Sequence, residues 1–321
     1  MKDKIILIVG GEPNSIFLEI FFKTLKLKKT KCPIVLISSE KLLKKQMMKL
    51  KFKKKIKLLD YKNLQLKKLD NNSINLINVN YNQKNAFEKI SKKSNKFIEK
   101  SFEIAIKILK KGFVSRFING PISKKNFLGN RYLGITEYIS KKISSKNTCM
   151  LIYNKRLSVS PITTHLPLKD VVKNINKKMF RDKIKWINDF YKKTLGFSPK
   201  LAVLGINPHC ESVNKFNEDE KIIKPMIKIL KKKYNISGPY SADTAFIKNN
   251  RKKFDVIVGM YHDQVLTPIK TLFEYDAINI TLGLPFIRVS PDHGPNQTMI
   301  GKNISSPTSL IQAISFLEKN W

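Results

Sequence analysis

FDVIVGMYHDQVLTPIK, residues 254–270, runs from a short apolar segment directly into Tyr261, His262, Asp263 and Gln264, with no turn residue between, and then into sequence of helical type. An apolar run of this length reads as an interior strand, buried on both faces as the strands of a parallel sheet are. Polar side chains between such a strand and a helix sit at the end of a βα unit, facing the crevice where open α/β sheets bind ligands. The same alternation runs through the rest of the chain. KIILIV (4–9), PIVLIS (33–38), FVSRFI (113–118), CMLIYN (149–154) and LAVLGI (201–206) are apolar runs of strand length separated by helical patterns. The expected class is therefore α/β with a largely parallel sheet.

The helical segments carry core stripes. From 86 to 112 the residues Phe87, Ile90, Phe97, Ile98, Phe102, Ala105 and Leu109 recur at helical spacing, and Gly112 supplies the stop. A second helix is expected from about Asn176 to Leu195, ending at Gly196. A third is expected near the C-terminus, where Ser306 can cap and Leu310, Ile311, Ile314 and Leu317 form the stripe. The stretch 69–85 has turn composition around a weak strand. At 321 residues the chain exceeds the size at which one core keeps growing, so two domains are expected. No apolar run approaches the roughly 18 residues that span a bilayer. Cys32, Cys149 and Cys210 are widely spaced, which fits a reducing, cytoplasmic setting without disulfides.

The net charge of +38 invites a nucleic-acid reading. The basic residues are 56 lysines against 6 arginines, spread along the whole chain. Base readout and two-pronged phosphate contacts favour arginine, so a dedicated nucleic-acid function is the weaker alternative.

The chain has four histidines, and three follow strand-like runs: His165 after RLSVSPITT, His209 after LAVLGINP and His262 after FDVIVGMY. A single strand-end histidine is more often a cap or a surface residue. Three of four at such ends point to one shared metal site, because neutral imidazole is the common ligand of divalent metals and three ligands leave open positions for substrate. Their separations match no short metal motif. Arg288, emerging from an apolar segment, needs either a buried carboxylate or a substrate anion as partner. Lys270 and Asn279 are weaker candidates of the same kind.

GPISKKNF, GITEY, TTHLPLKDV, LGINPH, GPYSADTAF, MYHDQVLTPIK and INITLGLPFIRVSPDHG, in this order and spacing, resemble the 4-hydroxythreonine-4-phosphate dehydrogenase family of vitamin B6 synthesis, most strongly over 118–294. The resemblance implies a two-domain fold of the isocitrate and isopropylmalate dehydrogenase type, with an active-site cleft between domains. Expected boundaries are 1–125 plus 290–321 for the first domain and 126–289 for the second, which carries the interface of a homodimer. It implies a divalent metal, zinc foremost with magnesium, manganese or cobalt as alternatives, on His165, His209 and the neighbouring subunit's equivalent of His262. It further implies NAD as cofactor, on a loop containing Asp292, His293 and Gly294. The substrate contacts it implies are Thr136, Lys270, Asn279 and Arg288.

The implied reaction is oxidation and decarboxylation of 4-phosphooxy-threonine to 3-amino-2-oxopropyl phosphate. Asp243, Asp263 and Lys270 are the catalytic candidates, Asp263 by orienting His262 or by proton transfer. The family usually has a histidine where this chain has Ile135, and Thr-Ala where it has Pro295 and Asn296. A sister dehydrogenase acting on a four-carbon sugar-acid phosphate is the alternative function.

Overall fold

The computed structural model describes residues 5–62, 64, 69–129, 131–145, 148–211, 217–274, 276–291 and 293–319. In chain order the first elements are β1 (Ile6–Val9), α1 (Phe17–Leu27), β2 (Ile34–Ser38), α2 (Glu40–Lys49), β3 (Lys55–Leu58), β4 (Ser73–Asn78), α3 (Asn95–Lys110), β5 (Arg116–Asn119) and α4 (Ile135–Lys142). There follow β6 (Cys149–Tyr153), β7 (Ser158–Pro161), α5 (Leu168–Asn174), α6 (Lys177–Phe190), β8 (Leu201–Leu204), α7 (Lys224–Leu230), β9 (Ile236–Tyr240), α8 (Ala242–Ala245) and α9 (Lys248–Arg251). The last are β10 (Val256–Gly259), α10 (His262–Phe273), β11 (Ile278–Leu282), β12 (Ile287–Pro291) and α11 (Thr308–Leu317).

Two compact units divide the chain: residues up to Ser144 together with those from Leu284 onward, and Ser145–Gly283. In the first unit the strands lie in the order β3-β4-β2-β1-β5-β12, every described pairing parallel. The apolar run of β1 is buried on both faces. Ile5, Leu7 and Val9 join Phe97, Phe102, Ala105 and Leu109 of α3 in one core, while Ile6 and Ile8, which alternate to the other face, are equally buried. On the helix layer, α1 packs against α2 and α11.

The second unit has the order β11-β6-β7-β10-β8-β9. Here β7, β10, β8 and β9 are mutually parallel, and β6 runs antiparallel to both β7 and β11. Val159, Ala202, Leu204 and Ile257 from the strands meet Val265, Leu266 and Ile269 of α10 in its core.

Two expectations shift. The helix expected from 86 begins at Asn95. Residues before it are held in irregular backbone by side chains: Gln46 Nε2 and Gln83 Nε2 donate to the Ala86 carbonyl, and Glu88 N–H donates to Asn14 Oδ1. The Phe87 ring packs on Gly301 instead of joining the helix stripe. The unit breaks fall after Ser144 and Gly283, not after 125 and 289. Phe127, Leu128, Tyr138 and Ile139 bury themselves in the first unit's core, and β12 pairs with β5, which draws Arg288 into that unit as well. The helix expected from Asn176 is present, with Asn176 Oδ1 accepting from Met179 N–H, and it ends at Gly196 with φ 83°, a left-handed conformation that suits glycine.

Candidate active site

In the second unit, β7, β10, β8 and β9 are parallel neighbours, so their carboxyl ends lie along one edge. His165 follows β7, His262 follows β10, His209 follows β8 and Asp243 follows β9. The strand order thus brings to one edge residues that are far apart in sequence. The His165 and His262 rings are 5.7 Å apart, centroid to centroid, tilted by 38°. Asp263 Oδ1 lies 2.7 Å from His262 Nδ1, a contact that can fix the ring and leave Nε2 for another partner. His209 is exposed, in a single helical turn over 208–210, with φ 54°; Cys210 follows with φ 61°. Burial pushes the Cys210 thiol up, with the Ser241 hydrogen bond opposing, so it stays a neutral thiol.

Two imidazoles on one ion at about 2.1 Å have centroids roughly 4.5–6.4 Å apart, and the His165–His262 pair falls inside that range. Among the described residues no three histidine, cysteine, aspartate or glutamate side chains of one chain stand together as a metal site. One chain therefore brings two imidazole rings close together, and His209 stands on the same strand edge outside that pair.

Lys270 lies on the exposed side of α10, and Asp243 is exposed in the first turn of α8. Asn279 sits on β11 opposite Ile152, with its Oδ1 sequestered from solvent and without a hydrogen-bond partner among the described residues. Such an acceptor suits a ligand donor.

The first unit holds the other candidates. Arg288 is 1% exposed: Nε donates to Asn119 Oδ1 at 2.8 Å, Nη1 to Thr136 Oγ1 at 2.8 Å and Nη2 to Ser290 Oγ at 3.0 Å. Ser290 Oγ in turn donates to Asn119 Oδ1 at 2.9 Å. These partners are neutral oxygens. Burial lowers the guanidinium to about 10 while the charge of Glu137 pulls the other way, so it remains cationic at neutral pH. The sequence singles out Thr136 and Arg288 but not Asn119 and Ser290, whose only local signal is a polar residue inside or ending an apolar strand. His293 lies 6.3 Å from Phe17, ring to ring, and its Nδ1 is 3.1 Å from the Gly294 carbonyl. A Cβ on Gly294 would meet nothing within 4 Å. Asp292 lies outside the described residues.

The fold is shared with solved structures, isocitrate dehydrogenase among them. The chain aligns with isocitrate dehydrogenase from Methylococcus capsulatus at TM-score 0.52 over 98% of this chain and 84% of that one, at 9% identity, a likeness of fold alone. The class is thus an α/β protein with a fold of the isocitrate dehydrogenase type.

The family profile described as pyridoxal phosphate biosynthetic protein PdxA matches residues 29–317. A curated relative from Sulfurihydrogenibium sp. (strain YO3AOP1), named 4-hydroxythreonine-4-phosphate dehydrogenase, is 40% identical over 313 residues, covering 95% of this chain and 94% of its own. The crystal structure of 4-hydroxythreonine-4-phosphate dehydrogenase from Klebsiella pneumoniae matches at TM-score 0.83 and 25% identity over 98% of each chain. The chain belongs to the PdxA family, the dehydrogenases of vitamin B6 biosynthesis. A relative from Pectobacterium atrosepticum, 34% identical over 208 residues, 63% of this chain and 64% of its own, is named D-threonate 4-phosphate dehydrogenase. No described helix is long and apolar enough to cross a membrane.

Proposed function

We propose that this protein oxidises 4-phosphooxy-threonine at its C3 hydroxyl with NAD and a divalent metal, and that the resulting ketone loses its carboxylate as carbon dioxide, leaving 3-amino-2-oxopropyl phosphate. Support comes above all from a relative of that name matching 95% of the chain, together with imidazoles on the ends of adjacent parallel strands. The hydroxyl proton goes to a base, the hydride to NAD, and the electron pair of the broken carboxylate bond to the ketone, where a proton restores neutrality. His165, His209 and the neighbouring subunit's equivalent of His262 would hold the divalent ion, which would supply a Lewis acid for negative charge on the substrate oxygen.

The chain's own residues would do the rest. Asp263 holds the His262 ring. Arg288 and Lys270 supply positive charge for the anionic substrate, and Thr136, having accepted from Arg288, has its own hydroxyl proton to donate. Asn279 Oδ1 accepts from the substrate, and Asp243 or Asp263 moves the proton. His293 and Gly294 would line the NAD loop. The protein would work in the cytoplasm as a homodimer.

The test is NADH formation from 4-phosphooxy-threonine, with and without a chelator, and with zinc, magnesium, manganese or cobalt restored. His165→Ala, His209→Ala and His262→Ala should each abolish turnover with the fold intact; near-native activity in two of them would refute the site. Mixing His209→Ala with His262→Ala protein should recover some activity if His262 serves the neighbouring subunit. No recovery after confirmed subunit exchange would argue against a site shared between subunits. The Pectobacterium relative motivates the second reading, oxidation of a four-carbon sugar-acid phosphate. Turnover of D-threonate 4-phosphate without turnover of 4-phosphooxy-threonine would establish it.

A further inference from the structure

We propose that Gln264 and Asp219 are positioning residues, forming a hydrogen-bonded clasp that fastens the loop bearing His209 to the loop bearing His262 and so holds each histidine in its ligating position; the proposal rests on the metal site proposed above. Gln264 lies in the first turn of α10. Its Oε1 accepts from Met260 N–H at 2.6 Å, and its Nε2 donates to the Gly205 carbonyl at 2.7 Å. One amide therefore ties the backbone just before His262 to the backbone just before His209. Asp219 is wholly buried and grips the next two residues: Oδ1 accepts from Ile206 N–H at 2.9 Å, and Oδ2 accepts from Asn207 N–H at 3.1 Å and Asn207 Nδ2 at 2.9 Å. A third tie leads to the remaining histidine, since Thr163 donates both N–H, at 3.0 Å, and Oγ1, at 2.7 Å, to the Met260 carbonyl.

The backbone is shaped to admit these groups. A Cβ on Gly259 would stand 2.8 Å from Gln264 Oε1, and one on Gly205 would stand 2.8 Å from Asp219 Oδ1. Beyond the clasp, His209 and Cys210 both occupy the left-handed region, with φ 54° and 61°. Non-glycine residues persist there only when their surroundings over-determine them. The neutral amide and the carboxylate suit their tasks: the amide bridges one donor and one acceptor, and the carboxylate receives donors only. The polar run after the β10 strand thus divides its labour, with His262 facing the ligand and Gln264 fastening the neighbouring loop.

The experiment titrates the metal-free full-length protein with cobalt(II), followed by visible absorption and equilibrium dialysis. The variants are Gln264→Leu, Gln264→Glu and Asp219→Asn. The control is Gln46→Leu, which removes a wholly buried glutamine that bridges two carbonyls, those of Pro13 and Ala86, in the first unit. The clasp variants should bind cobalt about tenfold or more weakly with an altered spectrum, whereas the control should lose melting temperature and keep its affinity. Gln264→Glu, which keeps the acceptor for Met260 but not the donor for Gly205, should remain impaired and serves if Gln264→Leu does not fold. Native cobalt affinity in Gln264→Leu or Gln264→Glu would overturn the clasp. If the wild type itself binds no cobalt, the metal reading fails, and amide hydrogen exchange then judges the clasp alone. Faster exchange at Ile206, Asn207 and Cys210 in the Gln264 and Asp219 variants, but not in the Gln46 control, would uphold it, and unchanged exchange would overturn it.

Discussion

Replacing Arg288 with lysine keeps a positive charge and removes the fork. Nε, Nη1 and Nη2 each donate one bond, to Asn119, Thr136 and Ser290, at 2.8, 2.8 and 3.0 Å, from a side chain 1% exposed. A lysine ammonium on its shorter reach can serve one of these oxygens well. Two charge-assisted bonds are then unmade at about 1.5 kcal/mol each, so the expected loss of stability is about 3 kcal/mol. Urea denaturation of both proteins measures it, provided the m-value is unchanged. A loss below about 1 kcal/mol would refute the claim that these three bonds hold the guanidinium. Kinetics on the same samples separate a second role. If the guanidinium also meets a substrate anion, KM for 4-phosphooxy-threonine rises per folded molecule; an unchanged KM assigns Arg288 to the core of the first unit alone.

Gly205→Ala places a Cβ 2.7 Å from Cys210 Sγ and 2.8 Å from Asp219 Oδ1 in a buried site, so thermal or urea denaturation should show a loss of about 1–3 kcal/mol. Lys124→Ala or Lys125→Ala, on the exposed π-turn after Pro121, should raise KM more than Lys192→Ala, an exposed lysine just beyond α6, and Ile135→His should be tolerated and lower KM. Equal KM values across the three lysine variants would deny those lysines the role of a missing imidazole. Glu12 is 2% exposed, and burial raises its pKa above the usual 4.5 against the opposing bonds from Asn14 and Ser94. A carboxyl raised on folding gives stability that is full below its unfolded pKa and lost as pH rises through the folded one, so Glu12→Gln should flatten the fall in melting temperature from acid to neutral pH. Parallel melting curves for the two proteins would count against it.

Local order was open to reading because its causes are local. Apolar runs buried on both faces mark strands, spacing marks helices, and Gly196 and Asn176 punctuate α6 through their own backbone and side-chain chemistry. For the same reason His165, His209 and His262 could be placed after strands from the sequence alone, and the ordered motifs led to the family. What tertiary structure decided is non-local. The order β7-β10-β8-β9 brings residues 165, 209, 243 and 262 to one edge, and nothing in a strand's own periodicity states its neighbour. Asn119 meets Arg288 across 169 positions and Gln264 meets Gly205 across 59, contacts that exist only once the strands have paired. The start of α3 at Asn95 and the break after Ser144 have the same origin, since long-range hydrogen bonds and burial in a shared core outweigh the weak helical preference of the intervening residues.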